Sequence, residues 1–280
     1  MVSKNLAAHP DWLGWLGENI KRGCNVAELV LTLLNSGFSE ASVQHAIKAQ
    51  RGGGESAPEL ADPQAPLRQP DFAALASPHL VSADNRYLVT SLCSPKLQLY
   101  LVQDFLTVAE CDVLIDLATR AFRPSTVTID STPGDYRTSE TADLLPGKNV
   151  TVDSIDQKIV DCMGIGLPYA ETTQIQRYRV GQEFKAHTDF FAPGSDEYQT
   201  YAAEQGNRTW TFMVYLNDVE RGGGTRFHNI NRTITPRRGM AVVWNNRYAD
   251  GAVNHDTLHA GLSVEAGEKF VITKWFRERV

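Results

Sequence analysis

The chain has 280 residues, 42% of them hydrophobic and 21% charged, which is ordinary for a globular protein and leaves room for one medium domain plus a small module. A formal net charge of -6, with both signs mixed along the chain, excludes the basic field that nucleic acid or an anionic membrane surface would need. No apolar run approaches the roughly 20 residues of a membrane span, so neither nucleic acid nor membrane is expected as a partner.

The first residues lack an apolar core of signal-peptide length, and a cytoplasmic setting is the expectation. Cys24, Cys93, Cys111 and Cys162 are scattered, without the paired spacing of a zinc site or the density of a disulfide scaffold, and read as reduced thiols. Between residues 11 and 50 the apolar side chains recur at helical spacing: Trp12, Leu13, Trp15, Leu16 and Ile20, then Val26, Leu29, Val30, Leu33 and Leu34, then Val43, Ala46 and Ile47. Three short helices are predicted, with Asn25 capping the second, Ser39 capping the third and Gly37 at the stop between them. Residues 1–50 thus read as a small all-α module, a bundle that packs on a neighbour or mediates a homodimer. From 51 to 70, Gly52, Gly53, Gly54 and the prolines 58, 63, 66 and 70 can sustain neither a helix nor a central strand and mark a flexible linker.

Residues 71–280 form the catalytic domain of this reading. Strand-like runs occur at 96–102, 175–180, 184–190, 210–216, 240–244 and 269–276, with helical periodicity at 109–122 and 152–164. The fold class is therefore mainly β with supporting helices that back one sheet of a double-stranded β-helix, or jelly roll.

The pattern with chemistry in it is His187 and Asp189, two residues apart on a predicted strand and so on one face of it. His259 stands ahead of another apolar run. Two histidines and one carboxylate on one face of an octahedron describe a non-haem iron(II) oxygenase centre, with the opposite face open for cosubstrate and dioxygen. A His-x-Asp pair alone is weak. Its weight comes from the series around it: Tyr178 nine residues before His187, His259 seventy-two after it, Lys269 ten beyond His259 and Trp275 six further. His255 competes with His259 for the third position, and His259 is preferred because it leads into the Lys269 spacing. His228 reads as a weaker rival, either a solvent-side residue or one standing just behind the ligands. A lysine in an apolar strand is sensible where a fixed anion meets it, although a turn lysine reaching solvent would also fit the spot. Tyr178 reads equally as a core aromatic with a satisfied hydroxyl, and Trp275, alternating with Thr273 and Val271 on the Lys269 side, equally as core packing.

Residues 176–189, Asn207-Arg208-Thr209, Tyr215-Leu216-Asn217-Asp218, Gly222-Gly223-Gly224-Thr225, Leu258-His259-Ala260-Gly261, Gly267-Glu268-Lys269-Phe270 and Thr273-Lys274-Trp275 together resemble the catalytic domain of the prolyl 4-hydroxylases, which are iron(II)- and 2-oxoglutarate-dependent dioxygenases. The resemblance runs from about Leu97 to the C-terminus and includes Tyr136-Arg137-Thr138-Ser139. It implies that His187, Asp189 and His259 hold Fe(II), that Lys269 and Tyr178 bind 2-oxoglutarate, and that Arg208 borders a peptide-substrate groove, with Trp275 near the pocket. The alternative for Arg208 is an arginine in a surface salt bridge. Two departures stand near the pocket rim: Gly224 where many relatives carry an acidic residue, and Leu262-Ser263 where Cys-Pro is more usual.

The implied activity is hydroxylation of an unactivated C–H, at C4 of a prolyl residue in a peptide or protein, with ascorbate as reductant. A hydroxylase of a free amino acid or other small molecule is the alternative, and a metal-binding sensor without turnover is a third reading. Gly222-Gly223-Gly224 lacks the Lys-Ser/Thr of a nucleotide loop.

Overall fold

The computed structural model describes residues 4–50 with short gaps, residue 80, and residues 87–92, 94–125 and 136–280. Contacts divide the chain into two compact units, Met1–Arg68 and Gln69–Val280. Trp15, Cys24, Asn25, Gly37, Cys93 and the 51–70 stretch lie outside the described residues.

In the first unit, α1 (Val26–Asn35) and α2 (Glu40–Gln50) follow a further helical stretch that contains residues 12, 13, 16, 17 and 20. Ser39 caps α2 through its hydroxyl, which accepts from Ser42 N at 3.3 Å. Leu6, Leu16, Leu29, Val30, Leu33, Phe38, Val43 and Ile47 share one buried cluster.

The second unit is built on two antiparallel sheets. The larger has, among the described residues, β1 (Val89–Ser91), β2 (Leu99–Val102), β3 (Arg123–Pro124), β4 (Glu140–Leu144), β5 (Thr173–Tyr178), β7 (Arg208–Tyr215), β11 (Ala241–Asn245) and β14 (Lys269–Arg277), in the order β1-β2-β11-β7-β14-β5-β4-β3. The smaller runs β10-β9-β12-β6, from β6 (Phe184–His187), β9 (Thr225–Phe227), β10 (Arg232–Ile234) and β12 (His259–Gly261). A short pair, β8 (Arg221–Gly222) with β13 (Val264–Ala266), completes the strands.

Two helices, α3 (Val108–Thr119) and α4 (Val150–Met163), cover the outer face of the larger sheet. Thr107 starts α3 with a capping box: its hydroxyl accepts from Glu110 N while the Glu110 carboxylate accepts from Thr107 N. Gly164 ends α4 at φ 67, a left-handed conformation that a side chain would resist.

Strand alternation sorts the core. Along β14, Phe270, Ile272 and Phe276 join the helix-side cluster, while Lys269, Val271, Thr273 and Trp275 face a cavity. All nine residues of β14 are buried because both of its faces are covered. Tyr178, Met213, Tyr215, Phe227, Trp244 and Val271 form the second cluster, which backs that cavity. The architecture is the jelly roll.

One predicted strand ends early. The run expected over 184–190 stops at His187, and Asp189 sits in the bend that follows. The physical cause is local. Phe190 and Phe191 both bury, and the Asn207 side chain satisfies Phe191 N at 2.9 Å and Phe191 O at 2.7 Å, which takes the place of ladder partners.

Candidate metal centre and cosubstrate cavity

His187 closes β6 and His259 opens β12, and the two are direct partners across that antiparallel pair. Residues far apart in sequence thus meet through register, with ring centroids 4.3 Å apart. Asp189 reaches the same point from the bend. One ligand atom from each of His187, Asp189 and His259 lies within 4.8 Å of the others, the one such group among the described residues. Asp189 Oδ1 stands 3.7 Å from His187 Nε2 and 4.0 Å from His259 Nε2.

The donors are pre-arranged. His187 Nδ1 meets Lys185 O at 2.8 Å and His259 Nδ1 meets Thr257 O at 2.9 Å. A carbonyl only accepts, so each Nδ1 carries the hydrogen and each Nε2 presents its lone pair to the shared point. Phe184 stacks on His187 with centroids at 3.5 Å, while Phe227 and Trp244 pack on His259 at 5.4 and 4.9 Å, fixing both rings. Burial, with His259 alongside, pulls the His187 pKa below the usual imidazole range and so favours the neutral, coordinating ring. Burial works against the Asp189 carboxylate, but the two imidazoles, Arg208 and the Thr211 hydroxyl outweigh it and hold its pKa below the usual range. Two imidazoles, each presenting Nε2, and one carboxylate are the donor set of a facial-triad iron(II) centre, and the residues fit that ion.

Lys269 opens β14 directly opposite Tyr178 of β5 in register. It is 2% exposed, and its Nζ faces the rings of Tyr178 at 4.9 Å and Tyr215 at 5.6 Å. No hydrogen bond or ion pair reaches it among the described residues. Burial pulls the amine down to about 7. It shares one cavity with the triad, lined also by Arg137, Thr225, Trp244 and Trp275. A buried cation without a counter-charge, a few side chains from three metal donors, suits an anionic cosubstrate that spans the two.

At Gly223 a Cβ would stand 3.4 Å from the Lys269 stem, and at Gly261 one would stand 3.8 Å from Lys269 Nζ. The two departures from the family pattern meet one another: Leu262 N donates to Gly224 O at 2.8 Å, and a Cβ at Gly224 would lie 3.7 Å from Leu262 and 3.1 Å from Thr233.

Arg208 begins β7 and is held in a fork by Glu171, Nε to Oε1 and Nη2 to Oε2 both at 2.7 Å. Its guanidinium lies 4.0 Å over the Trp275 ring, and its Nη1 donates to Asp189 O at 3.3 Å. It therefore packs behind Trp275 and Asp189, which line the cavity, rather than lying on the open surface. His255 is exposed and packs edge-on against Phe190 at 5.2 Å, and His228 is exposed, so neither joins the cluster.

Sequence reasoning missed Glu171, which follows a short turn and belongs to no motif, and Thr211, whose hydroxyl donates to Asp189 Oδ2 at 2.6 Å. Arg137, quoted only as part of a segment, lines the cavity and stacks 4.8 Å over Phe184. The alternation of Thr211 with Met213 and Tyr215 on the cavity side of β7 was the available signal for Thr211.

Residues 173–277 match the 2OG-Fe(II) oxygenase superfamily. The human prolyl 4-hydroxylase subunit alpha-1 is 35% identical over 182 residues, covering 63% of this chain and 34% of the relative. The bovine subunit alpha-3 is 33% identical over 211 residues, 74% of this chain and 38% of the relative, so the chain matches little more than a third of these curated relatives. Among solved structures, the viral collagen prolyl hydroxylase of Paramecium Bursaria Chlorella virus-1, determined as a 2-oxoglutarate complex, is 28% identical with a TM-score of 0.53, covering 65% of this chain and 96% of that one. Residues 173–277 thus carry the pattern of the 2OG-Fe(II) oxygenase superfamily, and the chain is similar to the prolyl 4-hydroxylases.

Proposed function

We propose that this protein is an iron(II)- and 2-oxoglutarate-dependent dioxygenase that hydroxylates a prolyl residue, at C4, in a peptide or protein substrate. The observation that carries the reading is the shared cavity in which His187, Asp189 and His259 face the unpaired amine of Lys269. His187 Nε2, His259 Nε2 and Asp189 Oδ1 would hold the metal. Lys269, with Tyr178 beside it, would receive the distal carboxylate of 2-oxoglutarate and set its keto-acid end toward the ion. The chemistry such a centre supplies when loaded is oxidative decarboxylation of 2-oxoglutarate by dioxygen, giving succinate and carbon dioxide, coupled to replacement of a C–H hydrogen by hydroxyl.

The chain's own task is placement and exclusion of water. Phe184, Trp244 and Trp275 wall the cavity with apolar surface, and Arg208, fixed by Glu171 and by the Trp275 face, would border the substrate backbone beside that wall. A cytoplasmic setting is part of the proposal, supported by Cys111, which is buried and unbridged.

The test is mass spectrometry of a proline-containing peptide panel and a free amino-acid panel, incubated with protein, Fe(II), ascorbate and 2-oxoglutarate. Peptides one oxygen heavier at proline are expected. Activity confined to free amino acids would overturn the peptide assignment, and no succinate under any condition would overturn the enzyme.

A further inference from the structure

A buried hydrogen-bonded chain joins two of the three metal donors by a route outside the cavity. Thr211 Oγ1 donates to Asp189 Oδ2 at 2.6 Å. A carboxylate only accepts, so that hydrogen is committed, and the hydroxyl lone pair takes Asn246 Nδ2 at 2.9 Å. Asn246 O accepts from Asn254 N at 2.9 Å, Asn254 O accepts from Thr257 Oγ1 at 2.7 Å, and Thr257 O accepts from His259 Nδ1 at 2.9 Å. Thr211, Asn246, Asn254 and Thr257 are at most 2% exposed, and none of them lines the cavity. The chain is braced from both ends. Asn246 N donates to Thr209 O on β7 at 2.7 Å, and the Asn254 amide donates to Lys96 O at 2.9 Å.

Packing alone does not account for these side chains. A buried amide is costly unless its polar atoms are paired, and Asn246 Oδ1 finds no hydrogen-bond partner among the described residues. An apolar residue would fill the space without that cost, so the amide is explained by what its other end does. A carboxylate left alone can also offer a metal either oxygen or both. With Oδ2 engaged by Thr211, Oδ1 is the oxygen that faces His187 and His259.

We propose that Thr211 and Asn246 are positioning residues that hold Asp189 to a single metal-facing oxygen at a fixed separation from His259, so that metal affinity depends on a hydroxyl and an amide that never touch the ion. This rests on the metal-centre reading of His187, Asp189 and His259. The test is titration of the metal-free full-length protein with Co(II), read by visible absorption, with thermal unfolding of each metal-free variant recorded first.

Thr211→Val is expected to keep its fold, to bind Co(II) about 10- to 100-fold more weakly and to alter the absorption bands. Thr211→Ser, which keeps the hydroxyl, restores most of the affinity and the parental bands. Asn246→Ala is expected to weaken binding in the same direction, and it carries the comparison if Thr211→Val does not fold. Variants that take up Co(II) with parental affinity and bands would overturn this inference and leave the metal centre standing. A parent that takes up no Co(II), or whose uptake survives His187→Ala, would overturn both.

Discussion

Lys269 shows most plainly how one residue's surroundings determine its use. An amine that is 2% exposed, with the aromatic faces of Tyr178 and Tyr215 near it, is held where a dianion would restore its lost solvation. Removing the charge with Lys269→Met is expected to raise the KM for 2-oxoglutarate on the order of 100-fold, the equivalent of a ~3 kcal/mol charge-assisted contact, with a smaller change in kcat. Initial rates of succinate release over a 2-oxoglutarate series check this. The same residue sets a pH dependence. With the anion absent, burial puts the amine at about 7. A bound dianion raises that value, so affinity is full below about 7. It falls by about tenfold per pH unit above that, until the bound-state value is reached. Calorimetric titration of 2-oxoglutarate between neutral and alkaline pH should show the decline, and a flat profile would remove Lys269 from the carboxylate. This residue was legible in the sequence because a cation inside an apolar, alternating run is anomalous by itself. Glu171 was not, since a glutamate after a turn is unremarkable until the fold brings two arginines to it.

Between elements, Glu171 acts as a knot. Its carboxylate holds Arg208 at the start of β7 and Arg277 at the end of β14, at 2.7 and 2.8 Å, and its N–H donates to Trp275 O at 2.8 Å. Burial raises its pKa, but the two guanidinium groups prevail and hold the carboxyl below the usual range. Glu171→Ala would leave two largely buried cations without their partner and is expected to cost about 3 kcal/mol in denaturant unfolding, with Arg208 loosened behind Trp275. At the edge of the larger sheet's helical cover, Thr107→Ala removes the α3 capping hydroxyl and should cost about 1 kcal/mol, with no effect on cosubstrate affinity. Strands such as β7, β11 and β14 were readable from largely apolar runs of five to eight residues. Two- and three-residue strands such as β8, β10 and β13 were not, because so short a stretch has no period. The early end of β6 was hidden for a related reason: Phe190 and Phe191 prolong the apolar run, and only the distant Asn207 reveals that the backbone has left the ladder.

At the scale of the molecule, each unit buries its own apolar cluster, Leu6 through Ile47 in one and the paired clusters around the larger sheet in the other. A chain beginning at Gln69 is therefore expected to unfold cooperatively and to take up Co(II) as the full protein does, checked by thermal melting and titration. A fragment that aggregates or binds no metal would contradict that independence. No helix among the described residues is long and apolar enough to cross a membrane. The facing placement of His187 and His259 on β6 and β12 has a consequence for supply as well as for chemistry. An ion gripped by both would close a long loop and staple the smaller sheet, contributing about 2.7 kcal/mol of apparent stability at a free concentration one hundred times its dissociation constant. Scarcity of iron would then thin the pool of intact molecules in addition to idling those that remain, tying abundance to nutrition.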